Sequence, residues 1–294
     1  MTSPFTLTTH LLETQKPLYE SATQHPFLLS AAKGTLPKQV LSKWLSNDRL
    51  YIHSYIRAGG KLLESIELPS AGTESFEARL VDWVIEALAA VRREERLFVD
   101  VADRYDLDLE MEPRVGVGSL SSELPGLRMI RGLFGTVSIS TTQKSTLGGM
   151  EVIQGFLGAV TGNTNNSAVN KRETNTPGPA APLLPWLEGA LTFWGTERCY
   201  LDAWSWAKAQ QPSGGNSRDD ADGGALRKEF IPNWSSEEFA NFVERLGKLI
   251  DEAVGQEIEN AGEEGESVKT KILERVEGRW KTLLEGEKAF WPEV

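Results

Sequence analysis

The chain has 294 residues, of which 40% are hydrophobic and 25% charged, an ordinary balance for a folded chain with a sizeable core. Its formal net charge of -11 sets it against a nucleic-acid backbone or an anionic membrane surface as partner. The single cysteine, Cys199, excludes an internal disulfide and a thiolate metal cluster, and three histidines, His10, His25 and His53, leave little for a multi-histidine metal site. No metal and no cofactor are therefore expected. The opening MTSPFTLTTH lacks a basic start and an apolar run, and no long apolar span follows, so the expected location is intracellular and cytoplasmic, with no membrane or nucleic-acid partner.

Helical spacing begins at Leu7, Leu11, Leu12 and Leu18 and closes at the triplet His25, Pro26 and Phe27. A His followed by Pro at a helix end reads first as a cap, with haem ligation by His25 the lesser alternative. Thr35 and Pro37 then mark the start of a long amphipathic helix over Leu41–Leu63, whose apolar stripe includes Leu41, Trp44, Leu45, Tyr51, Ile52, Tyr55 and Ile56. Asp48 interrupts that stripe, four residues after Trp44 and three before Tyr51. A buried carboxylate without partners costs roughly several kcal/mol, so Asp48 is either satisfied internally or faces a ligand cavity. The next helix, Leu80 to Tyr105, carries Glu95 on its stripe in a setting of Arg92, Arg93 and Arg96, which reads as a structural ion pair.

From 106 to 146 the period fails, apart from one short helical turn near Leu127 to Phe134. A helix is expected from Leu147 to Val160, followed by a polar Asn/Thr/Pro/Gly loop over 161–182. The aromatic-rich helix Leu183–Ala207 holds Thr196, Glu197, Cys199 and Tyr200, and a Gly/Ser/Asp loop over 209–229 comes after it. Ser235 and Glu238 have capping-box spacing ahead of a helix from Glu237 to about Glu259. The last helix, from about Val268, carries Glu287 in its apolar stripe, four residues after Leu283 and four before Trp291. No strand alternation, repeat or composition break intervenes, so the expected architecture is all-α: one helical-bundle domain over 1–294 with loop insertions at 106–146, 161–182 and 209–229. Dinucleotide and phosphate-loop motifs are absent, as are the Glu-x-x-His pairs of a di-iron bundle. Polar groups on three distant helices (Asp48, Tyr51, Thr196, Glu197, Cys199 and Glu287) suit a pocket for a small, flat, nitrogen-rich ligand, because carboxylates bond amino and ring nitrogens and aromatic rings sandwich a heterocycle.

Four segments together resemble the TenA-type family, thiaminase II in the haem-oxygenase-like fold. They are HPFLLSAAKGTLP, the D-x-x-Y pair Asp48 and Tyr51, WSSEEF, and EKAFW near the end. The resemblance implies an aminopyrimidine ligand and salvage of the thiamin pyrimidine. The reaction would hydrolyse a 5-aminomethyl pyrimidine or a thiamin breakdown product to the hydroxymethyl form, in a homodimer or homotetramer. It implies that Asp48 holds the pyrimidine nitrogens, Tyr51 supports the site, and Glu287 moves protons. The family's cysteine segment aligns with Gly195, Thr196, Tyr200 and Asp202, so a threonine replaces the nucleophile, and Trp234 replaces a tyrosine. An unactivated hydroxyl adds to the ring far less readily than a thiolate, and Glu197 lies about 100° from Thr196 around the helix. The expected chemistry is therefore hydrolysis without the cysteine, with Glu287 as general acid/base and Asp48 beside it. The expected substrate contacts are Asp48, Tyr51, Thr196, Glu197, Cys199, Trp234 and Glu287. The alternatives are a pyrimidine-binding protein without turnover and a haem-oxygenase-like oxidoreductase.

Overall fold

The structure, a computed structural model, describes residues 5–70, 73–109, 123–137, 183–214 and 217–294. Among them every regular element is helical: α1 (Leu7–Thr14), α2 (Lys16–Thr23), α3 (Pro26–Ala32), α4 (Lys38–Ser65), α5 (Phe76–Tyr105), α6 (Pro125–Gly135), α7 (Leu187–Ala209), α8 (Glu237–Asn260) and α9 (Gly265–Phe290). A π-helical turn, Leu226–Phe230, runs into a short helix, Ile231–Trp234, between α7 and α8. The helix expected at Leu147–Val160, the loop at 161–182 and most of 106–146 lie outside the described residues.

The helix ends follow local chemistry. His25 Nδ1 accepts from the Phe27 amide with Pro26 at the first helical position, so His25 is the cap of α3. Ser75 accepts from the Ala78 amide at the start of α5, and Asp106 adopts the left-handed conformation that stops it. The cap of α8 is Ser236, which accepts from the Phe239 amide at 3.2 Å, and not Ser235 as the capping-box spacing suggested. Ser235 instead donates to Ile231 O, because the short helix ahead of α8 has already claimed it. Pro37, not Thr35, precedes α4, and its extended backbone starts the helix without a side-chain cap.

Two segments expected as loops contain packed structure. The single turn anticipated near 127–134 is the eleven-residue helix α6, which starts on Pro125 and packs more extensively on α9 than on any other element. Within 209–229, Asp222 is buried and accepts from the amides of Gly224 and Leu226, while Asp220 pairs with Arg227. Buried carboxylates of this kind tie a glycine-rich turn to the helix after it, which composition alone does not reveal.

One hydrophobic cluster runs through the described helices. Its centre is aromatic: Trp44 of α4 stacks on Trp291 at 5.6 Å between ring centroids and meets Trp204 of α7 at 5.5 Å, and Trp204 stacks on Trp234 at 4.7 Å. These rings join α4, α7, the C-terminal end of α9 and the short helix at a single level. One turn beyond Trp44 on the same face of α4 sits Asp48, so the ring cluster is the floor on which the polar part of the core stands. On the other side of α4, Glu95 accepts from Arg49 at 3.2 Å, meets His53 at 2.8 Å and pairs with Arg92, which makes it the structural ion pair expected.

α6 lies so close to α9 that a Cβ on Gly126 would meet backbone atoms of Gly286, Ala289 and Phe290. Backbone cannot swing aside as a flexible side chain can, so Gly126→Ala is expected to cost about 1–3 kcal/mol. Urea unfolding measures this; an unchanged midpoint would mean that α6 does not sit against α9.

Candidate functional site

Beyond the aromatic floor a cavity of about 400 Å³ opens between α4, α5, α7 and α8, within the range of small-molecule sites. Asp48, Tyr51, Ile52 and Tyr55 of α4 face it, since a spacing of three and four keeps residues on one helix face. Glu86, Arg93, Glu94 and Leu97 line it from α5, Thr196, Glu197 and Tyr200 from α7, and Trp234, Glu238, Phe239 and Phe242 from the short helix and α8.

Its carboxyl groups are held by aromatic donors. Tyr200 OH donates to Asp48 Oδ1 at 2.5 Å, Tyr55 OH to Glu197 Oε1 at 2.6 Å, and the Trp234 indole N–H to Glu94 Oε1. Tyr51 OH, on the wall, donates to Glu287 Oε1 at 2.8 Å, and Glu287, at 1% exposure, lies behind it. Burial raises every one of these carboxyls. Asp48, at 3% exposure, is pushed well above the usual carboxylate range by burial and then by the charge of Glu94, with the Tyr200 bond opposing. Burial lifts Glu197 and Glu287 to about 8, against the opposing bonds from Tyr55 and Tyr51, and lifts Glu94 to about 7 against the Trp234 bond. Glu287 Oε2 is buried with no hydrogen-bond partner among the described residues, an arrangement that costs least when the carboxyl is neutral. At neutral pH the cavity is thus walled by acids poised to give or take a proton.

Asp48, Tyr51, Thr196, Glu197 and Trp234 therefore meet on one cavity, as their types suggested. Glu287 belongs to it only through the Tyr51 hydroxyl. Cys199 is not on the wall, which corrects its expected place among the substrate contacts. Thr196, Glu197 and Tyr200 span about 100° of α7, whereas Cys199, three residues past Thr196, falls outside that arc, and burial holds its thiol well above the ordinary value. Glu197 lines the cavity and accepts from Tyr55, not from Thr196, in keeping with the 100° between them. Thr196 is 2% exposed, donates its hydroxyl to Phe193 O at 3.0 Å and lies against the Tyr51 phenol, which Glu287 holds. The three histidines pair elsewhere, His10 with Glu277, His25 with its cap amide and His53 with Glu95, and none lines the cavity. Haem ligation by His25 has no support in that arrangement.

Among the wall residues that escaped sequence reasoning as site residues, three make the hydrogen bonds described above. Tyr200 carried a usable signal, since it lies four residues after Thr196. Tyr55 read as one more ring on the apolar stripe. Glu94 was hidden in the run of charges around Glu95, and its partner Trp234 stands 140 positions away.

Residues 12–112 match the model of the TENA/THI-4/PQQC family. A protein named a probable transcription factor from Fusarium pseudograminearum is 23% identical over 291 residues, covering 96% of this chain and 52% of that protein, so the chain spans about half the length of this relative. A TenA homologue from Pyrococcus furiosus superposes with a TM-score of 0.60 at 18% identity, covering 97% of each chain. A TenA family transcription regulator from a Silicibacter species gives 0.60 at 14%, over 99% of this chain and 97% of that one. A TenA homologue from P. horikoshii gives 0.58 at 18%, over 98% and 97%. These structures share the all-α, haem-oxygenase-like fold. No described helix is long and apolar enough to cross a membrane.

The raised carboxyls fix the sign of the stability profile. A carboxyl whose folded pKa lies above its unfolded value of 4.5 binds more protons folded than unfolded between the two. Stability is then greatest at the acid end of that window and declines as pH rises towards about 8. Melting temperature is expected to fall from about pH 5.5 to 8.5, and to fall less in Glu287→Gln, which lacks one of the titrating groups. A flat or rising profile would mean that these acids are not buried.

Proposed function

We propose, from the premise that the chain is a TenA-type protein, that its cavity binds an aminopyrimidine and hydrolyses it without a cysteine nucleophile. The observation that carries the reading is Asp48: a buried carboxyl, held by Tyr200, on the wall of an aromatic-lined cavity of about 400 Å³. Such a group can receive the paired amino and ring N–H donors of a protonated aminopyrimidine, while Tyr55, Tyr200 and Trp234 offer rings to its faces.

In the hydrolysis the carbon–nitrogen bond within the aminomethyl group breaks and a bond from its carbon to the water oxygen forms. The water gives up one proton and the departing nitrogen takes one. Tyr51 faces the cavity and Glu287 accepts its hydroxyl, so the couple suits proton exchange with substrate through the phenol oxygen. Burial keeps Glu287 protonated near neutrality, the state needed for an acid. Asp48 positions the ring.

The second reading, a ligand-binding protein without turnover, is favoured by one observation: the described wall carries no thiol, since Cys199 lies off it. The printed names of the Fusarium relative and the Silicibacter protein fit a regulatory use of such a binder. Ammonia release separates the two. Wild type is expected to bind a 5-aminomethyl pyrimidine and release ammonia. Asp48→Asn should weaken binding by at least about tenfold. Glu287→Gln should bind within a few fold of wild type and lose about 10²–10⁴ of the rate. Intact turnover in Glu287→Gln would remove its role, and binding without release in wild type would establish the binder.

A further inference from the structure

The cavity wall is unbalanced in charge. Its described lining holds Asp48, Glu86, Glu94, Glu197 and Glu238, with Arg93 as the one cationic side chain among them. Most of the acids are already provided for. Asp48 and Glu197 accept from tyrosine hydroxyls, and Glu86 is paired with Arg245 at 2.6 Å. Glu94, like Asp48 and Glu197, faces the cavity without a cation partner among the described residues, but its donor is the indole N–H of Trp234, which, unlike a hydroxyl, can neither turn nor accept. An indole N–H satisfies one oxygen and leaves the charge uncompensated. The donor is rigid, because Trp234 is clamped between Trp204 at 4.7 Å and Phe230 at 4.9 Å. That clamp fixes one oxygen of Glu94 and leaves the other to the cavity.

We propose that Glu94, fixed by Trp234, is the specificity residue that receives a protonated amino group on the ligand, so that the site takes an amine-bearing heterocycle and turns away its phosphate ester. The proposal rests on the reading of the cavity as a heterocycle site and names which form of the ligand enters it. Among the described residues no three His, Cys, Asp or Glu side chains are arranged to share a metal ion. An ammonium group supplies both the charge and the donors that Glu94 lacks, and the rings of Trp234, Phe239 and Phe242 tolerate a cation at their faces. A phosphate dianion would find Arg93 as the one cationic side chain on the described lining. Burial sets Glu94 near 7, so an entering cation draws off its proton and amine binding strengthens as pH rises through that value.

Calorimetric titration with the 5-aminomethyl, 5-hydroxymethyl and phosphorylated hydroxymethyl forms of the aminopyrimidine tests this. In wild type the amine is expected to bind at least about tenfold more tightly than the alcohol, and the phosphate at least about tenfold more weakly than the alcohol. Glu94→Gln keeps an oxygen for the Trp234 bond and should reduce the amine-to-alcohol ratio by at least about fivefold. An unchanged ratio, or a phosphate that binds as tightly as the alcohol, would overturn the proposal. Should Glu94→Gln fail to fold by near-ultraviolet circular dichroism, the wild-type amine-to-alcohol ratio decides: a rise between pH 6 and 8 supports Glu94, and a flat ratio overturns it. If no pyrimidine binds wild type, the heterocycle reading itself has failed. Benzylamine, benzyl alcohol and benzyl phosphate then carry the same comparison, in which an amine preference that Glu94→Gln removes supports the proposal and equal binding of amine and alcohol refutes it.

Discussion

The structure turns on a hydrogen bond between Tyr200 of α7 and Asp48 of α4, made one turn beyond a floor of four tryptophans. A carboxyl at that depth is costly to leave unpaired. Its donor must come from the facing helix, because α4's own backbone is already bonded to itself. That requirement fixes the rotation of α7 against α4, and the rotation in turn sends Thr196 and Glu197 into the same space as Tyr51 and Tyr55. The cavity is what remains when two helices are held apart by polar pairs above and drawn together by indole rings below.

The same logic recurs around the wall. Asp48, Glu94, Glu197 and Glu287 are each matched to a ring-borne donor, so these polar groups are set on stiff side chains with few torsions. Rigidity of this kind is what a site requires for orientation, and it restrains Glu197, which as a free glutamate would sample several rotamers. The carboxyls gather where burial raises them, and a cluster of weak acids near neutrality responds to a ligand's charge by changing its own. On the proposed function, binding and protonation are therefore coupled in this cavity.

How much of this is legible in the sequence depends on the range of the signal. The helices α4, α5, α8 and α9 follow from three-and-four spacing, and Asp48 and Glu287 stand out as acids on apolar stripes. Those signals are local. Pairing is not: Tyr200 with Asp48 spans 152 positions and Trp234 with Glu94 spans 140, and spacing says nothing about which helices face each other. The helix α6 was reduced to a turn because glycines at 126, 132 and 135 dilute its pattern. Gly126 owes its place to the close approach of α9, a tertiary cause invisible to helix propensity. Cys199 drew attention as the lone thiol, whereas the arc of α7 that faces the cavity passes it by. Glu287 is buried as its stripe suggests, and Tyr51 stands between it and the cavity, which spacing along one helix does not reveal.

Trp234 and Glu94 form a unit whose members cannot be exchanged singly. A tyrosine in place of the indole would move the donor and leave the acid short of its bond, and an apolar residue in place of the acid would strand a buried indole N–H. A lineage can leave this arrangement only by changing both positions, and either intermediate is penalised. Relatives that share the pocket are thus better sought by the joint presence of a tryptophan and a glutamate 140 positions apart than by either residue alone.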